Sequence, residues 1–221
     1  MSETLHFSVN DQAIKELIQA DEILTGLIGL IGDISIPLKA NYFQSLVQSI
    51  IGQQLSAKAA NTIHQRFLNL AEDFSPESIL RIDPELMRSA GLSRAKVQYI
   101  QDLCSKIISD DIQLHDMDQL EDEQIVRMLK KVKGIGPWTS EMFLIFSVGR
   151  VNVLSIGDAG LQRAVKWLFE MEDRPDGKYL EQHAERWNPY RTIASLYLWK
   201  AIDQGYVDSG RSIGELIGDG T

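Results

Sequence analysis

The chain has 221 residues, of which 44% are hydrophobic and 24% charged, a composition typical of an ordinary globular protein with one or two domains. Its single cysteine, Cys104, excludes an internal disulfide framework, a four-cysteine iron–sulfur cluster and a multi-cysteine zinc site. No apolar run reaches about 18 residues and no basic segment precedes an apolar one, so we expect a cytoplasmic protein without a membrane span or export signal. The formal charge of −9 disfavours nucleic-acid binding, because phosphate contacts usually require a basic surface.

The spacing of apolar residues along the chain predicts helices almost throughout. Residues 4–9 are expected to form an extended arm, and no alternating stretch is long enough to predict a sheet. Serine or aspartate precedes proline at 75–76 and 83–84, which predicts two capped helix starts. Gly91 ends the second of these helices, and Ser93 caps the next one. Four segments carry apolar residues at helical spacing: Phe43–Ile51, Val97–Ile107, Ile125–Val132 and Leu161–Leu168. The sequence therefore predicts an all-α fold.

A glycine-rich turn separates two of the predicted helices. Gly134 and Gly136 let the backbone turn tightly, and Pro137 occupies the first position of the following helix. The amides of that helix start form an anion site in which a phosphate could bind. Basic side chains cluster around the turn: Lys130, Lys131, Lys133, Arg163 and Lys166. The alternative is a plain helical hairpin with solvated lysines, so the motif alone leaves both interpretations open.

Three further segments set this turn in a specific context. They are Ile51–Ala60 (IGQQLSAKAA), Ala90–Lys96 (AGLSRAK) and Val151–Arg163 (VNVLSIGDAGLQR). Together with Leu129–Ser140, their order and spacing resemble the helix-hairpin-helix DNA glycosylase superfamily. The chain is most similar to the 3-methyladenine DNA glycosylase II branch in its compact form, over residues 40–205. Larger members carry an N-terminal β-domain, for which the residues before this match are too few.

The resemblance implies two helical lobes with an active-site cleft between them. One lobe is expected to comprise residues 41–148, with the helix-hairpin-helix at about 121–148. The other is expected to combine residues 1–40 with 149–221. The family's essential aspartate matches Asp158, which would lie at the mouth of the cleft.

Asp158 has a role that is chemically coherent with this match. Cleavage of a purine N-glycosidic bond builds positive charge on the sugar. A fixed carboxylate stabilises that charge or helps to orient the attacking water. A helix N-terminus favours the ionised form of such a carboxylate. An isolated aspartate before a helix is usually an ordinary N-cap, and Asp158 is expected to serve both roles.

The reaction is expected to stop at base release. Relatives that also nick the backbone use a lysine in the second hairpin helix to form a Schiff base, and Trp138 stands at the matching position. Several relatives also carry a four-cysteine iron–sulfur cluster, which a chain with Cys104 alone does not supply. The resemblance therefore implies a monofunctional glycosylase that leaves an abasic site.

Aromatic residues are candidates for the pocket of a flipped base, because an alkylated, positively charged purine gains from an electron-rich ring. Residues at positions matching pocket or near-pocket positions of the family are Trp138, Trp187 and Tyr190, with Phe43 as a weaker candidate. Core packing is the alternative for each of them. Two positions depart from the family pattern: Met142 stands where a relative has a pocket tyrosine, and Gly157 stands where it has an acidic residue. These departures leave the lesion range open.

Contacts to duplex DNA are implied for two loops. Gln53–Ser56 matches the segment that inserts a wedge into the gap left by the flipped base, with Gln54 or Leu55 as the plug; the alternative is a polar turn. Lys58 and Lys96 are candidates for flanking phosphates, or else solvated lysines. The hairpin contributes further candidates: Lys133, Gly134, Ile135, Gly136, Thr139 and Arg163. The resemblance also implies a monovalent cation, Na⁺ or K⁺, held by the carbonyls of Lys130, Val132 and Ile135.

Four hypotheses follow from the sequence. The first is an alkylpurine glycosylase acting on 3-methyladenine or 7-methylguanine in double-stranded DNA, expected as a monomer. The second is a non-catalytic helix-hairpin-helix module that binds distorted DNA. The third is a glycosylase for a deaminated or oxidised base. The fourth is an acidic helical scaffold unrelated to DNA, whose DNA binding would be absent or insensitive to salt.

Overall fold

The structure, a computed structural model, describes residues 3–218 and is almost entirely helical. A two-stranded sheet pairs β1 (Thr4–Phe7) with β2 (Ile34–Pro37). The α-helices of the described residues are α1 (Gln12–Ala20), α2 (Glu22–Ile31), α3 (Tyr42–Gly52), α4 (Ala57–Leu68), α5 (Pro76–Leu80), α6 (Pro84–Ser89), α7 (Arg94–Ile108), α8 (Asp122–Leu129), α9 (Pro137–Phe143), α10 (Ala159–Leu168), α11 (Gly177–His183), α12 (Arg191–Asp203) and α13 (Ile213–Gly218). The predicted all-α class is confirmed.

The helical segments follow the local signals in the sequence. The hydroxyl or carboxylate oxygens of Ser75, Asp83 and Ser93 accept amides in the first turns of α5, α6 and α7, as the sequence predicted. Gly91 adopts a φ of +111°, the left-handed conformation that ends a helix. A π-helical turn at Leu144–Val148 continues directly from α9 and had no signal in the sequence.

The described residues form two compact units. One contains residues 3–38 together with 149–218, and the other contains Lys39–Val148. The two ends of the chain, residues 1–2 and 219–221, lie outside the described residues. In the described part of the chain, no helix is long and apolar enough to cross a membrane.

The unit formed by residues 3–38 and 149–218 is built around α12. This helix is buried along almost its whole length, and it packs against α2 and α10. The antiparallel pair β1–β2, with Leu5 opposite Ile36, was not predicted, because four-residue strands are too short to show a period of two. The extended arm expected at residues 4–9 is therefore a strand at Thr4–Phe7.

The Lys39–Val148 unit packs α3 and α7 at its centre. The apolar residues predicted to share one face of α3 are all buried: Phe43, Leu46, Val47, Ile50 and Ile51. Cys104 on α7 is also buried, and burial raises the pKa of its thiol to about 12. Helix α8 ends at Leu129, so Val132 is buried from the turn that follows the helix rather than from the helix itself.

Candidate active site

Asp158 lies at the N-terminus of α10 and is half-buried. Its Oδ1 accepts the backbone amide of Leu161 at 2.6 Å, the bond of an N-cap. The same oxygen accepts the indole N–H of Trp199 at 3.2 Å. Two donors on two helices, α10 and α12, therefore fix the orientation of this carboxylate, which is the geometry that electrostatic stabilisation of a developing cation requires.

The space beside this carboxylate is narrow. A Cβ atom added at Gly160 would lie 3.1 Å from Asp158 Oδ1 and 3.4 Å from Ile202 Cδ1. The first distance is shorter than ordinary van der Waals contact, so glycine at 160 leaves room for the carboxylate. A Cβ atom added at Gly157 would meet no other atom within 4 Å, so the space beside the residue before Asp158 is open.

Trp199 is a site residue that the sequence reasoning missed. It is half-buried at the end of the buried face of α12, directly before the exposed Lys200. A tryptophan at the border between a buried run and a charged residue is often placed with its N–H toward a polar partner, and this is the only signal that the sequence offered. Asp158 and Trp199 are 41 positions apart in the sequence, and nothing in the sequence indicated that the two side chains meet.

Trp138 and Met142 share one face of α9 in the other unit, since they are separated by four residues. Trp138 is 45% exposed, unusually high for so large an apolar side chain, and Met142 is half-buried. An indole and an adjoining thioether form a polarisable surface suited to stacking. The structure therefore keeps both residues as candidates for a base pocket.

Trp187 is a core residue, which corrects the expectation that it lines a pocket. Its side chain has no exposed surface, and its indole N–H donates to Asp21 Oδ2 at 2.9 Å. The physical reason is that a buried indole N–H needs an acceptor, and Asp21, which caps α2, supplies it.

Two other pocket candidates also have partners within their own units. Phe43 is 7% exposed and packs against Phe74, with ring centroids 5.6 Å apart, so it belongs to the core. Tyr190 is half-buried, and burial together with the negative charge of the nearby Glu16 raises the pKa of its hydroxyl.

The expected wedge segment is an exposed loop between α3 and α4. Gln54 adopts a φ of +59°, a conformation that is strained for a residue with a side chain. Leu55 is 39% exposed, and Ser56 caps α4 by accepting the Ala59 amide at 3.3 Å. Gln53 Nε2 donates to the carbonyl of Gly134 at 2.7 Å, so the wedge loop and the hairpin turn are joined by a hydrogen bond.

Helix α7 packs against the hairpin turn through the ring of Tyr99. Gly134 has a φ of +80°, and a Cβ atom there would overlap the ring of Tyr99 at 2.1 Å, so only glycine fits. Ile135 is buried, and Gly136 is the N-cap of α9. Thr139 in the first turn of α9 is also buried, so its hydroxyl is not placed to contact a phosphate directly.

The basic candidates have different surroundings. Lys58 and Lys133 are exposed. Lys96 is half-buried, and its Nζ donates to the carbonyls of Ile51 and Gln53, at 2.8 Å each. Arg163 forms an ion pair with Asp208. Lys96 and Arg163 therefore have protein partners where phosphate contacts were expected.

The carbonyl groups proposed for a monovalent cation lie along six residues of the hairpin. Backbone carbonyl oxygens are hard donors, which suit Na⁺ or K⁺. The Val132 carbonyl accepts the Ile135 amide at 3.1 Å and retains a second lone pair by its chemistry. Among the described residues, no group of three or more His, Cys, Asp or Glu could hold a metal ion.

Comparison with known proteins shows which family this chain belongs to. A sequence profile described as HhH-GPD superfamily base excision DNA repair protein matches residues 47–189. DNA-3-methyladenine glycosylase 1 of Schizosaccharomyces pombe is 32% identical over 89% of this chain and 92% of its own. A putative DNA-3-methyladenine glycosylase of Bacillus subtilis is 33% identical over 76% of this chain, which spans 62% of that relative.

Solved structures show the same likeness. DNA-3-methyladenine glycosidase from Bacillus halodurans superposes with a TM-score of 0.86 at 40% identity, over 97% of this chain and 99% of the other. The S. pombe 3-methyladenine DNA glycosylase in complex with abasic DNA gives a TM-score of 0.78 at 31% identity, over 87% and 97% of the two chains.

Proposed function

Because the chain belongs to the HhH-GPD superfamily of base excision DNA repair proteins, we propose that it is a monofunctional DNA glycosylase for alkylated purines. Its reaction is hydrolysis of the bond between the purine and deoxyribose in duplex DNA. The observation that carries the proposal is the Asp158 carboxylate, fixed by the Leu161 amide and the Trp199 indole.

The chemistry follows from what this carboxylate is able to do. As the base departs, positive charge develops on the sugar ring, and a carboxylate already oriented stabilises it without reorganisation during the reaction. Water then supplies the oxygen that replaces the base on the sugar. Asp158 either stabilises the sugar cation directly or orients that water, and both roles require its negative charge.

In this proposal, residues on the exposed face of α9 contact the damaged base. A purine alkylated at N3 or N7 carries positive charge, and an electron-rich indole attracts it by stacking. Trp138 supplies the indole and Met142 the adjoining polarisable surface. Trp138 also occupies the position where lyase-active relatives have a lysine. Since an indole forms no Schiff base, the product is an abasic site with the strand intact.

The test is release of free base from methylated duplex DNA by the wild type and by Asp158→Asn. An Asn side chain still caps α10 through its carbonyl oxygen, so the variant separates charge from capping. We expect wild type to release 3-methyladenine or 7-methylguanine, and the variant to be slower by at least about a hundredfold. Strands should stay intact until treated with alkali.

Asp176→Asn is the matched control, because Asp176 caps α11 through the Tyr179 amide at 2.7 Å in the same unit. It should release base at the wild-type rate. Absence of free base from wild type, with duplex binding retained, would contradict the alkylpurine assignment and support a non-catalytic binding module.

A glycosylase for a different lesion is the second candidate. The open space at Gly157 and the thioether of Met142 both differ from the family pattern and bear on which base fits. Duplexes with a single hypoxanthine, uracil or 8-oxoguanine distinguish the two candidates. Release of one of these bases faster than 3-methyladenine would favour the second candidate.

A monovalent cation at the hairpin is part of the proposal. The carbonyls of Lys130, Val132 and Ile135 would hold it, and the cation would supply positive charge toward a DNA phosphate. Duplex affinity should then be higher in KCl or NaCl than in tetramethylammonium chloride at equal ionic strength. Equal affinity in the three salts would argue against the cation.

A further inference from the structure

Lys96 on α7 makes the contacts expected of a structural cation. Its Nζ donates two hydrogen bonds to carbonyl oxygens at the end of α3, those of Ile51 and Gln53, both at 2.8 Å. The last carbonyls of a helix lack intrahelical partners, and a cation there satisfies them and complements the helix dipole. Half-burial of Lys96 lowers the pKa of its ammonium, which agrees with a group turned toward the protein.

These contacts fix a loop whose backbone is strained. Gln54 directly follows the Gln53 carbonyl that Lys96 holds, and its φ is +59°. A non-glycine residue persists in this region when its surroundings determine it. The Leu55 amide donates to the Gly52 carbonyl at 3.1 Å and closes the turn, which presents Gln54 and Leu55 at the surface.

The same face of α7 also holds the hairpin turn. Lys96, Tyr99 and Asp102 are three residues apart, so they lie in a row along the helix. The Tyr99 ring packs under Gly134, and Asp102 Oδ2 accepts the amide of Lys133 at 2.8 Å. Asp102 is itself fixed by the Lys106 ammonium, 2.7 Å from the same oxygen. We call the row of Lys96, Tyr99 and Asp102 the α7 ridge.

A direct bond joins the two loops that the α7 ridge supports. Gln53 Nε2 donates to the Gly134 carbonyl at 2.7 Å, while the Gln53 carbonyl accepts from Lys96. The wedge loop, the hairpin turn and α7 therefore form a closed ring of contacts. Displacing any one member changes the distance between the plug residues and the hairpin amides.

We propose that Lys96 and Gln53 are positioning residues that hold the wedge loop in register with the hairpin turn, and that Lys96 is not a phosphate contact. The proposal rests on the proposed function and on the expectation from the family resemblance that the hairpin binds a phosphate while the wedge fills the gap left by the flipped base. Both contacts must form on one rigid duplex. A small shift of one loop against the other then slows flipping far more than it weakens binding.

The first test is the salt dependence of duplex binding for Lys96→Met, which keeps the length of the side chain and removes its charge. If Lys96 bound a phosphate, the variant would reduce the slope of log K against log salt by about 0.9. We expect the slope to remain that of the wild type. Lys58→Met, at an exposed lysine near the wedge loop, gives the slope change of a simple surface charge in the same region.

The second test is insertion of the wedge, measured with a duplex that carries 2-aminopurine beside a tetrahydrofuran abasic analogue. Wild type and Lys178→Met, at an exposed lysine of the other unit, should raise the fluorescence on binding, because the wedge unstacks the probe. Lys96→Met and Gln53→Met should lower that increase and slow single-turnover base release by about tenfold or more. Lys96→Arg, which keeps the charge and donors, should recover most of the increase.

Coupling between the two residues provides the third test. If Lys96 and Gln53 act on one loop, the double variant should be no slower than the slower single variant, because neighbouring residues of one network are not additive. A reduced salt slope with a normal fluorescence increase in Lys96→Met would overturn the proposal and make Lys96 a phosphate contact. Normal fluorescence and normal base release in Gln53→Met would overturn the link to the hairpin.

The binding and fluorescence tests need no catalysis, so they keep the proposal separate from the proposed function. Failure of wild type to release any base would contradict the glycosylase assignment alone. Should Lys96→Met fold poorly, as shown by circular dichroism, Gln53→Met and Lys96→Arg still decide the outcome.

Discussion

Asp158 shows how one side chain serves the fold and the proposed chemistry at once. Its Oδ1 caps α10, which any asparagine or serine would do, and also accepts the Trp199 indole, which aligns the carboxylate plane. The capping bond stabilises the helix, whereas the second bond limits rotation of the group. The two functions are separable, because the cap requires an acceptor and the reaction requires a charge.

Gly160→Ala separates stability from activity at this site. The new methyl group would press on Asp158 Oδ1 at 3.1 Å and turn the carboxylate, so we expect single-turnover base release to fall by about tenfold. Removing a helical glycine stabilises the folded state by up to about 1 kcal/mol, so the free energy of unfolding should not fall by a comparable amount. Base release and urea unfolding measure the two effects.

Gly29→Ala in α2 is the control for Gly160→Ala, because a Cβ atom at Gly29 meets no other atom within 4 Å. It should stabilise the protein and leave base release unchanged. Wild-type activity in Gly160→Ala would show that the carboxylate has more freedom than these contacts allow.

Helix α2 begins at a buried carboxylate that organises its unit. Asp21 is 3% exposed, and it accepts the Leu24 amide at 3.1 Å and the Trp187 indole at 2.9 Å. Burial alone would raise the pKa of Asp21, but His183, the Leu24 amide and Trp187 together lower it below its ordinary value of 3.8. The ionised form is therefore the one that stabilises the fold.

Asp21→Asn should destabilise the protein by roughly 1–3 kcal/mol at pH 7, since an amide cannot accept both N–H groups through its nitrogen. A lowered pKa contributes stability that is complete above 3.8 and is lost as the pH falls through the folded-state value. The difference in unfolding free energy between wild type and variant should thus shrink below pH 3.8. Urea unfolding at pH 7 and pH 3 measures it.

The capping contribution in Asp21→Asn is controlled by Asp176→Asn, an exposed cap that lacks the indole partner. Asp176→Asn should change the unfolding free energy by less. A difference between wild type and Asp21→Asn that stayed constant from pH 7 to pH 3 would contradict the ionised, stabilising role of Asp21.

The net charge of −9 is unevenly divided over the whole molecule. Residues 39–148, which contain the wedge loop and the hairpin, have 12 Lys and Arg against 14 Asp and Glu, a formal charge of −2. The remaining residues have 10 against 17, a formal charge of −7. The acidic excess therefore lies mainly outside the unit with the DNA-contacting candidates, which is compatible with duplex binding.

Changing Lys130, Lys131 and Lys133 together to Gln should reduce the salt slope of duplex binding by up to about 2.7, or about 0.9 for each phosphate that the variant no longer neutralises. The physical reason is that fewer counterions are released when the duplex binds. Fluorescence anisotropy over a range of salt concentrations measures the slope. The control changes Lys15, Lys178 and Lys200, all exposed in the other unit, and should leave the slope near wild type. Equal slopes in both triple variants would remove the hairpin lysines from the DNA interface.

The sequence by itself determined the features that depend on neighbouring residues. Helix faces such as that of α3, the caps at Ser75, Asp83 and Ser93, and the cap at Asp158 all follow from spacing and from short-range hydrogen bonds. The order and spacing of the family motifs also allowed the all-α fold and the catalytic candidate Asp158 to be predicted, because this order can be read from the sequence alone.

Only the tertiary structure decided which side chains meet across long separations. Trp187 and Trp199 are close together in the chain, yet Trp187 lies in the core and Trp199 contacts the Asp158 carboxylate. The reason is that their acceptors, Asp21 and Asp158, are at the starts of helices distant from them in sequence. Lys96 likewise donates to the carbonyls of Ile51 and Gln53, although the sequence suggested a phosphate contact. Spacing along a chain fixes the face of a helix, whereas the acceptor that a buried N–H or ammonium finds depends on how the helices pack.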